Sequence, residues 1–508
     1  MLFSCREGIR PILVAAVLAV GIPPLATAQE KLTDTKISNA VSDELMEDSA
    51  VPGDRIDVEV TDGVVSLEGA VRNLLPKERA EKLAGMIRGV RAVVNEIEVE
   101  APLLTDTEIE ENVVFSLGTD PATEAWEVEV EVFDGTVTLD GMVDSWQEKQ
   151  LAAKVAKSVR GVKGVENEIA VDYETDRANK EIRKEIEAAL RWDAYIDDAL
   201  IDVAVKDGKV TLSGVVGSLA EKERAFNKCW VAGVTRVDYS DVEVRWWARE
   251  DKLREKKYVS RPEEEVRNAV LDAFLYDPRV RSFDIDVEID AGTATLRGTV
   301  DNLRARRAAA DDARNVVGVW SVNNKIKVRY EGLSDKTVER SVEQALENDS
   351  YLNRFDIIVS VEDGEAYLYG EVDSSFEKAH ADTVASRQMG VTQVHNRLDV
   401  AGRYSTVYGP YTGESSMRNY EWVEQPASFG AKSDWEIRRD IESELRWSPF
   451  IDRADVTIVV DDGVATLTGT VDTWSESQTA RQEALEAGAV RVENELKVEF
   501  GPDYYSTE

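Results

Sequence analysis

The stretch "VTDGVVSLEGAV" at residues 60–71 decides the fold, because it returns five times. It reappears as "VFDGTVTLDGMV" at 132–143, "VKDGKVTLSGVV" at 205–216 and "VDDGVATLTGTV" at 460–471. Looser copies are "IDAGTATLRGTV" at 289–300 and "VEDGEAYLYGEV" at 361–372. Apolar and polar residues alternate on both sides of an Asp-Gly pair. That is the pattern of a hairpin with one buried face and a tight turn that needs positive φ. The turn glycines Gly63, Gly135, Gly208, Gly292, Gly364 and Gly463 are 72, 73, 84, 72 and 99 residues apart. Periodicity of this kind marks a repeat protein built from units of about seventy residues.

The flanks of the hairpin complete the unit. Upstream lie Ile37, Val41 and Leu45, one helical turn apart, and the same slots are apolar in every copy. They predict an amphipathic helix, opened by Thr33, Thr105, Ser334 and Ser433 as N-caps. Downstream, Asn73, Ser145, Ser218, Asn302, Ser374 and Thr473 are N-caps of a second helix. Four of them carry Glu three residues on (Glu148, Glu221, Glu377 and Glu476), the spacing of a capping box. This helix repeats alanine seven and eleven residues past the cap, as at Ala80 and Ala84, which lets it lie close on a sheet. Gly89, Gly161, Gly233, Gly318, Gly390 and Gly488 end it. A third strand such as "VVNEIEV" follows.

The helix ending in Leu190, the "V-x-V-x-DG-x-V-x-L-x-G-x-V" hairpin and the closing Gly161-Val162 to Asn167 resemble the BON (bacterial OsmY and nodulation) domain family. The resemblance implies an α+β fold of tandem small αββαβ domains, each a three-stranded mixed sheet backed by two helices. It also implies a bacterial envelope location, phospholipid surfaces and osmotic or envelope stress. Two departures stand out: Ala291 replaces the turn Asp in repeat 4, and Tyr239 replaces the Asn in repeat 3, whose last strand has one extra residue. The expected organisation is a signal peptide at 1–28, then repeats at 31–100, 104–172, 176–246, 261–329, 333–400 and 433–500. A charged linker (247–260) and a Gly/Ser/Tyr-rich linker (401–432) separate three, two and one repeats.

Arg6 and Arg10 before "PILVAAVLAVGI", with Ala26-Thr27-Ala28 after it, describe a secretory signal, so the mature chain is expected in the periplasm. Losing Arg6, Glu7 and Arg10 moves the net charge from −38 to −39. Such a surface repels nucleic acid. Cys5 leaves with the signal, and Cys229 occupies a slot that is alanine in the other repeats, which predicts a small buried residue. His380 and His395 fill slots that vary between copies and read as exposed. The acids of "YIDDALIDVAV" (195–205) fall partly on the solvent side. No catalytic, metal or cofactor site is expected, because no phosphate-cradling loop, nucleophile elbow or histidine cluster is present.

Where a surface matters, two features differ between repeats. Arg304, Arg306, Arg307 and Arg314 stud the second helix of repeat 4, which has 12 basic and 12 acidic residues against 9 and 15 in repeat 1. They are the candidate contacts for anionic lipid, against an ordinary solvated helix face. Trp192 and Trp447, at the end of the first helix in repeats 3 and 6, either insert at a lipid interface or cap the core. Trp146 and Trp474, in a slot that holds leucine in three sisters, are expected as core caps. The expected function is a non-catalytic protein associating peripherally with membrane phospholipid in envelope maintenance. The alternative is an array for binding envelope proteins, or a spacer, without lipid.

Overall fold

The computed structural model describes residues 32–498 apart from 49, 103, 124–127, 174–176, 246–247, 249–260, 330–331, 374, 401–432, 449–450, 452–455, 462, 472–473, 488 and 490. The expected signal peptide (1–28), the expected linker 401–432 and nearly all of 247–260 lie outside these residues. Every repeat runs helix, strand, strand, helix, strand. In repeat 1 the strands Ile56–Thr61 and Val64–Val71 pair antiparallel, and Ala92–Asn95 joins Val64–Val71 in parallel. The hairpin's second strand is therefore central, and all six sheets share this order. The expected α+β architecture of small mixed sheets is the one observed.

In repeats 1, 2, 3 and 5 the turn is set by its Asp-Gly pair. Asp62 and Gly63 both have positive φ (50° and 75°), which matches the twist of the strands they join. Repeat 4 keeps the turn with Ala291 at φ 43°, which costs about 1 kcal/mol for a residue with a β-carbon and no side-chain hydrogen bond to offset it. The turn amides are also held from outside. Asp34, the first residue of its helix, accepts from the N–H groups of Asp62 and Gly63 at 2.9 and 3.0 Å. Asp106 and Asp335 repeat the contact at 2.9–3.1 Å. The first residue of the helix thus ties it to the hairpin, an Asp in repeats 1, 2, 5 and 6, Asn179 in repeat 3 and Glu263 in repeat 4.

The first helices are Asp34–Glu47, Asp106–Thr119, Asn179–Trp192, Glu263–Leu275, Asp335–Asn348 and Asp434–Trp447. The second are Leu74–Met86, Trp146–Lys157, Leu219–Lys228, Leu303–Arg314, Ser375–Ser386 and Trp474–Glu486. Ile37, Val41, Leu45, Ala80 and Ala84 are buried with Val65 and Leu67 in one cluster, and each repeat has its counterpart. Ser145 and Glu148 form the predicted capping box. Glu221 instead reaches the N–H groups of Gly217 and Asp197, while Ser218 still caps the Glu221 amide.

The closing Asn has a mechanical role. Asn95, Asn167, Asn324, Asn396 and Asn494 each donate from Nδ2 to a carbonyl of the second helix at 2.5–3.0 Å. In repeat 3, Tyr239 takes over by packing against Phe226 and hydrogen-bonding Glu223 at 3.3 Å. The extra residue there appears as a bulge in the last strand, where Tyr239 and Ser240 stand opposite the single residue between Thr211 and Ser213.

Candidate functional site

Geometry of interest gathers where repeats meet. The residue after the first helix is Asp48, Asp120, Asp193 or Asp349 in repeats 1, 2, 3 and 5 and Ser448 in repeat 6, while in repeat 4 Asp277 follows one residue later, after Tyr276. Each Asp accepts through Oδ1 from the N–H two residues on, at 2.8–3.0 Å. An acid at a helix C-terminus opposes the helix dipole, and all five are buried or nearly so. Each therefore takes a cation or an imidazole. Arg79 serves Asp48, Arg224 (2.6 Å) and Lys228 (3.3 Å) serve Asp193, Arg279 serves Asp277, and His380 serves Asp349 at 2.8 Å. In repeat 2 the matching position is Leu151, and the partner of Asp120 comes from another repeat: Arg304.

Burial alone would raise the Asp193 carboxyl, but Arg224 and Lys228 outweigh it and hold it at about 2. For Asp312 the balance tips the other way, because burial and the neighbouring Asp277 raise it well above the ordinary aspartate value.

The same region joins repeats in pairs. The carbonyl that ends the first helix accepts from the N–H just before the glycine that follows a partner's second helix. Trp192 O takes Val317 N (2.9 Å), Asn348 O takes Arg160 N (2.8 Å), Thr119 O takes Met389 N (3.2 Å) and Trp447 O takes Arg88 N (3.1 Å). Repeat 3 thus meets 4, repeat 2 meets 5 reciprocally, and repeat 6 meets 1. The pairing is nested along the chain. Ala194 N to Asn315 O (2.9 Å) and Ser350 N to Ser158 O (3.1 Å) add a bond from the odd repeat of two pairs. The even repeats 2 and 4 have Pro121 and Pro278 at that position and no N–H to give.

This arrangement accounts for the residues singled out in the sequence. Arg304 is buried on Asp120, Arg307 pairs with Asp382 of repeat 5, and Arg314 pairs with Asp311 at 2.8 Å. Arg306 is half-buried, and burial lowers its guanidinium below the ordinary value. The expected Arg-bearing surface is largely spent on contacts within the chain. Trp192 packs on the core of repeat 4 and Trp447 on that of repeat 1. Trp146 does not cap its own core: it stacks on Trp230 of repeat 3 with ring centroids 5.0 Å apart. The side chain of Trp474 lies outside the described residues.

His380, expected to be exposed, is 2% exposed, because its imidazole fills the cation position beside Asp349. His395 is half-buried, bonded to Glu365 at 2.7 Å and stacked on Tyr367. Asp197 is buried at the turn before its strand rather than on the solvent side. Cys229 is fully buried as expected; its thiol donates to Ala225 O at 3.2 Å, and burial pushes it up to about 12. Such a thiol is inert at neutral pH. Among the described residues, no group of three or more His, Cys, Asp or Glu is placed to hold a metal, and no helix is long and apolar enough to cross a membrane.

Two cavities of about 1250 and 1360 Å³ lie between the repeats. They share a waist lined by Lys154, Lys228, Arg279 and Arg387, with Asp311 and Asp312.

The BON domain model matches residues 33–101, 105–173, 178–245, 262–330, 334–402 and 433–499. The osmotically-inducible protein Y of Escherichia coli strain K12 is 30% identical over 145 residues, 27% of this chain and 72% of that protein. Two solved structures of CdsD, a structural protein of the type III secretion system of Chlamydia trachomatis, show 15% and 14% identity over 41% and 42% of this chain and 91% and 100% of theirs. Their TM-score of 0.12 adds nothing to the fold description. With six matches spanning most of its length and the same helix, hairpin, helix and strand order in every unit, the chain belongs to the BON domain family.

Proposed function

We propose that this is an exported, non-catalytic multi-BON protein of the bacterial periplasm that associates peripherally with phospholipid in osmotic or envelope stress. The six BON matches, together with the likeness to an osmotically inducible protein, carry the reading. The signal-like N-terminus supports export. Because Arg304 and Arg307 are engaged between repeats and Arg314 within repeat 4, lipid contact is assigned instead to exposed apolar tips. Phe133, at the hairpin corner of repeat 2, is 82% exposed, and Trp435, on the first turn of repeat 6, is 62% exposed. Aromatic tips of this kind suit the headgroup layer, and tandem modules add avidity where geometry lets them engage together.

Co-sedimentation with phosphatidylglycerol and phosphatidylcholine vesicles tests this. Phe133→Ala with Trp435→Ala should release the protein from vesicles, and a folded wild type that never sediments at low salt would end the lipid reading. A second reading, docking of an envelope protein, is favoured by repeat 5. Its outer sheet face pairs Ile358 with Tyr369, 63% and 39% exposed, where the sister repeats carry Asp, Glu, Thr, Ser or Arg. Tyr369→Ser should abolish capture from an envelope extract if that reading is right.

A further inference from the structure

The second helices of repeats 2 to 5 converge on the 1250 Å³ cavity, and they reach its wall with the same slot. Nine residues past the cap position stand Lys154, Asn227, Asp311 and Thr383, one from each helix. The quartet is an ammonium, an amide, a carboxylate and a hydroxyl, so it offers donors and acceptors with no net charge. The rest of the wall is balanced in the same way, with nine Lys and Arg against eight Asp and Glu. Six of the nine are in ion pairs, Lys228 with Asp193 and Arg279 with Asp277 among them, and Lys154 and Arg387 are engaged as well. Such a wall has no charge left over for an ionic ligand.

What it leaves open is neutral. The side-chain amides of Gln150 and Asn227 are exposed and have no hydrogen-bond partner among the described residues. Both stand at the waist shared with the second cavity, as does Trp146. The Trp146 indole is held there by its stack on Trp230, which Gln147 fixes by donating to Trp230 O at 2.8 Å. Six alanines complete the wall with small apolar ground. Amides both donate and accept, which suits hydroxyl groups that do the same. An indole and alanine methyls suit the C–H faces of sugar rings, because an aromatic π-cloud attracts weakly positive hydrogens. The cavity exceeds the roughly 1,000 Å³ upper size of ordinary small-molecule pockets, so it has room for several linked rings.

We propose that this cavity binds a neutral oligosaccharide, held at its waist by Gln150, Asn227 and Trp146. The walls come from repeats 2 to 5 together, and the inference is independent of the vesicle contact proposed above.

Calorimetric titration of the full chain with maltotetraose and, separately, chitotetraose tests it. One site per chain is expected for at least one of the two sugars. The affinity should be the same at low ionic strength and at about 0.5 M salt, because an uncharged ligand is not screened. Gln150→Ala with Asn227→Ala should weaken binding about tenfold or more, the loss of two amide contacts. Gln393→Ala, which removes an exposed amide from the outer sheet face of repeat 5, should leave it unchanged. Circular dichroism and the thermal midpoint establish that each variant is folded. If the double variant unfolds, Gln150→Ala alone replaces it, with a smaller loss expected. Binding of neither sugar by the wild type, or equal weakening in Gln393→Ala, would overturn the proposal. So would displacement of the bound sugar by a fatty acid, which would make this a site for apolar chains.

Discussion

The seam between repeats 3 and 4 and the seam between repeats 1 and 6 share a backbone contact but treat their acids in opposite ways. At the first, Asp193 is buried with Arg224 and Lys228, and its carboxyl is held at about 2. At the second, Glu44 of repeat 1 hydrogen-bonds Glu444 of repeat 6. Burial, then Asp48 and Glu47, push Glu44 from the ordinary 4.5 to about 7, against the weaker pull of Arg79 and the Glu444 bond. One acid binds its proton more weakly than in the unfolded chain, and the other more tightly. Linkage then gives opposite slopes. The Asp193 contribution is complete above about 3.8 and is lost as pH falls through about 2. The Glu44 contribution is complete below about 4.5 and is lost as pH rises through about 7. Repeat 6 is joined to the rest through the 32-residue segment 401–432, so a weakened 1–6 seam lets that repeat alone part from the array.

The largest effect should come from a seam contact with no slack. Arg304→Ala leaves Asp120 charged and buried, and should cost about 3–5 kcal/mol, visible as a lowered calorimetric transition. Asp120→Asn with Arg304→Met should recover most of that loss. Replacing Arg304, Arg306 and Arg307 with Glu therefore probes folding before it probes lipid.

Acid should act next on the 3–4 seam. Lowering the pH from 4 to 2 should remove roughly 2 kcal/mol or a little less from it, read in urea titrations through Trp192 fluorescence. The 1–6 seam moves the other way. Between pH 5 and pH 8 it should lose on the order of 1–3 kcal/mol, seen as faster hydrogen exchange of the Arg88 amide, and Glu44→Gln should abolish that dependence. The smallest effect concerns the odd and even repeats. Ser350→Pro removes the donor to Ser158 O and should cost about 1 kcal/mol or somewhat more, whereas Pro121→Ala should be close to neutral by the same denaturation measurement.

How much of this was legible in the sequence follows from the range of the interactions. Cores, turns and caps arise from spacings within one unit, so the slots of Val65, Leu67 and Ala80 announced themselves six times over and the Asp62-Gly63 pair five times. Cys229 was legible for the same reason, as an odd filling of an alanine slot. The seams were not, because their partners lie far apart: Asp120 and Arg304 are 184 residues distant. Comparing copies also misled. Arg79, Leu151, Arg224, Ala308, His380 and Thr479 looked like a variable surface slot, which is why His380 read as exposed. The missing signal was pairing between slots. Arg79, Arg224 and His380 each accompany an Asp after the first helix. Thr479 accompanies Ser448, and Leu151 leaves Asp120 to Arg304. The alternation of Pro121, Pro278 and Pro449 with Ser49, Ala194 and Ser350 was a second signal. It distinguishes even repeats from odd ones, and each of the three backbone seams joins one of each, whereas the Arg304–Asp120 pair links two even repeats.

Nested pairing of the repeats is best tested by a cross-link across the 2–5 seam. Ser158→Cys with Ser350→Cys, in a Cys229→Ala background, places two thiols on segments joined by an isolated bridge between Val159 and Asp349. Mild oxidation should give rapid, concentration-independent closure of a loop of nearly two hundred residues and a faster-migrating band on non-reducing gels. Two thiols that stay free while the protein is folded, or that couple only between chains, would contradict the pairing.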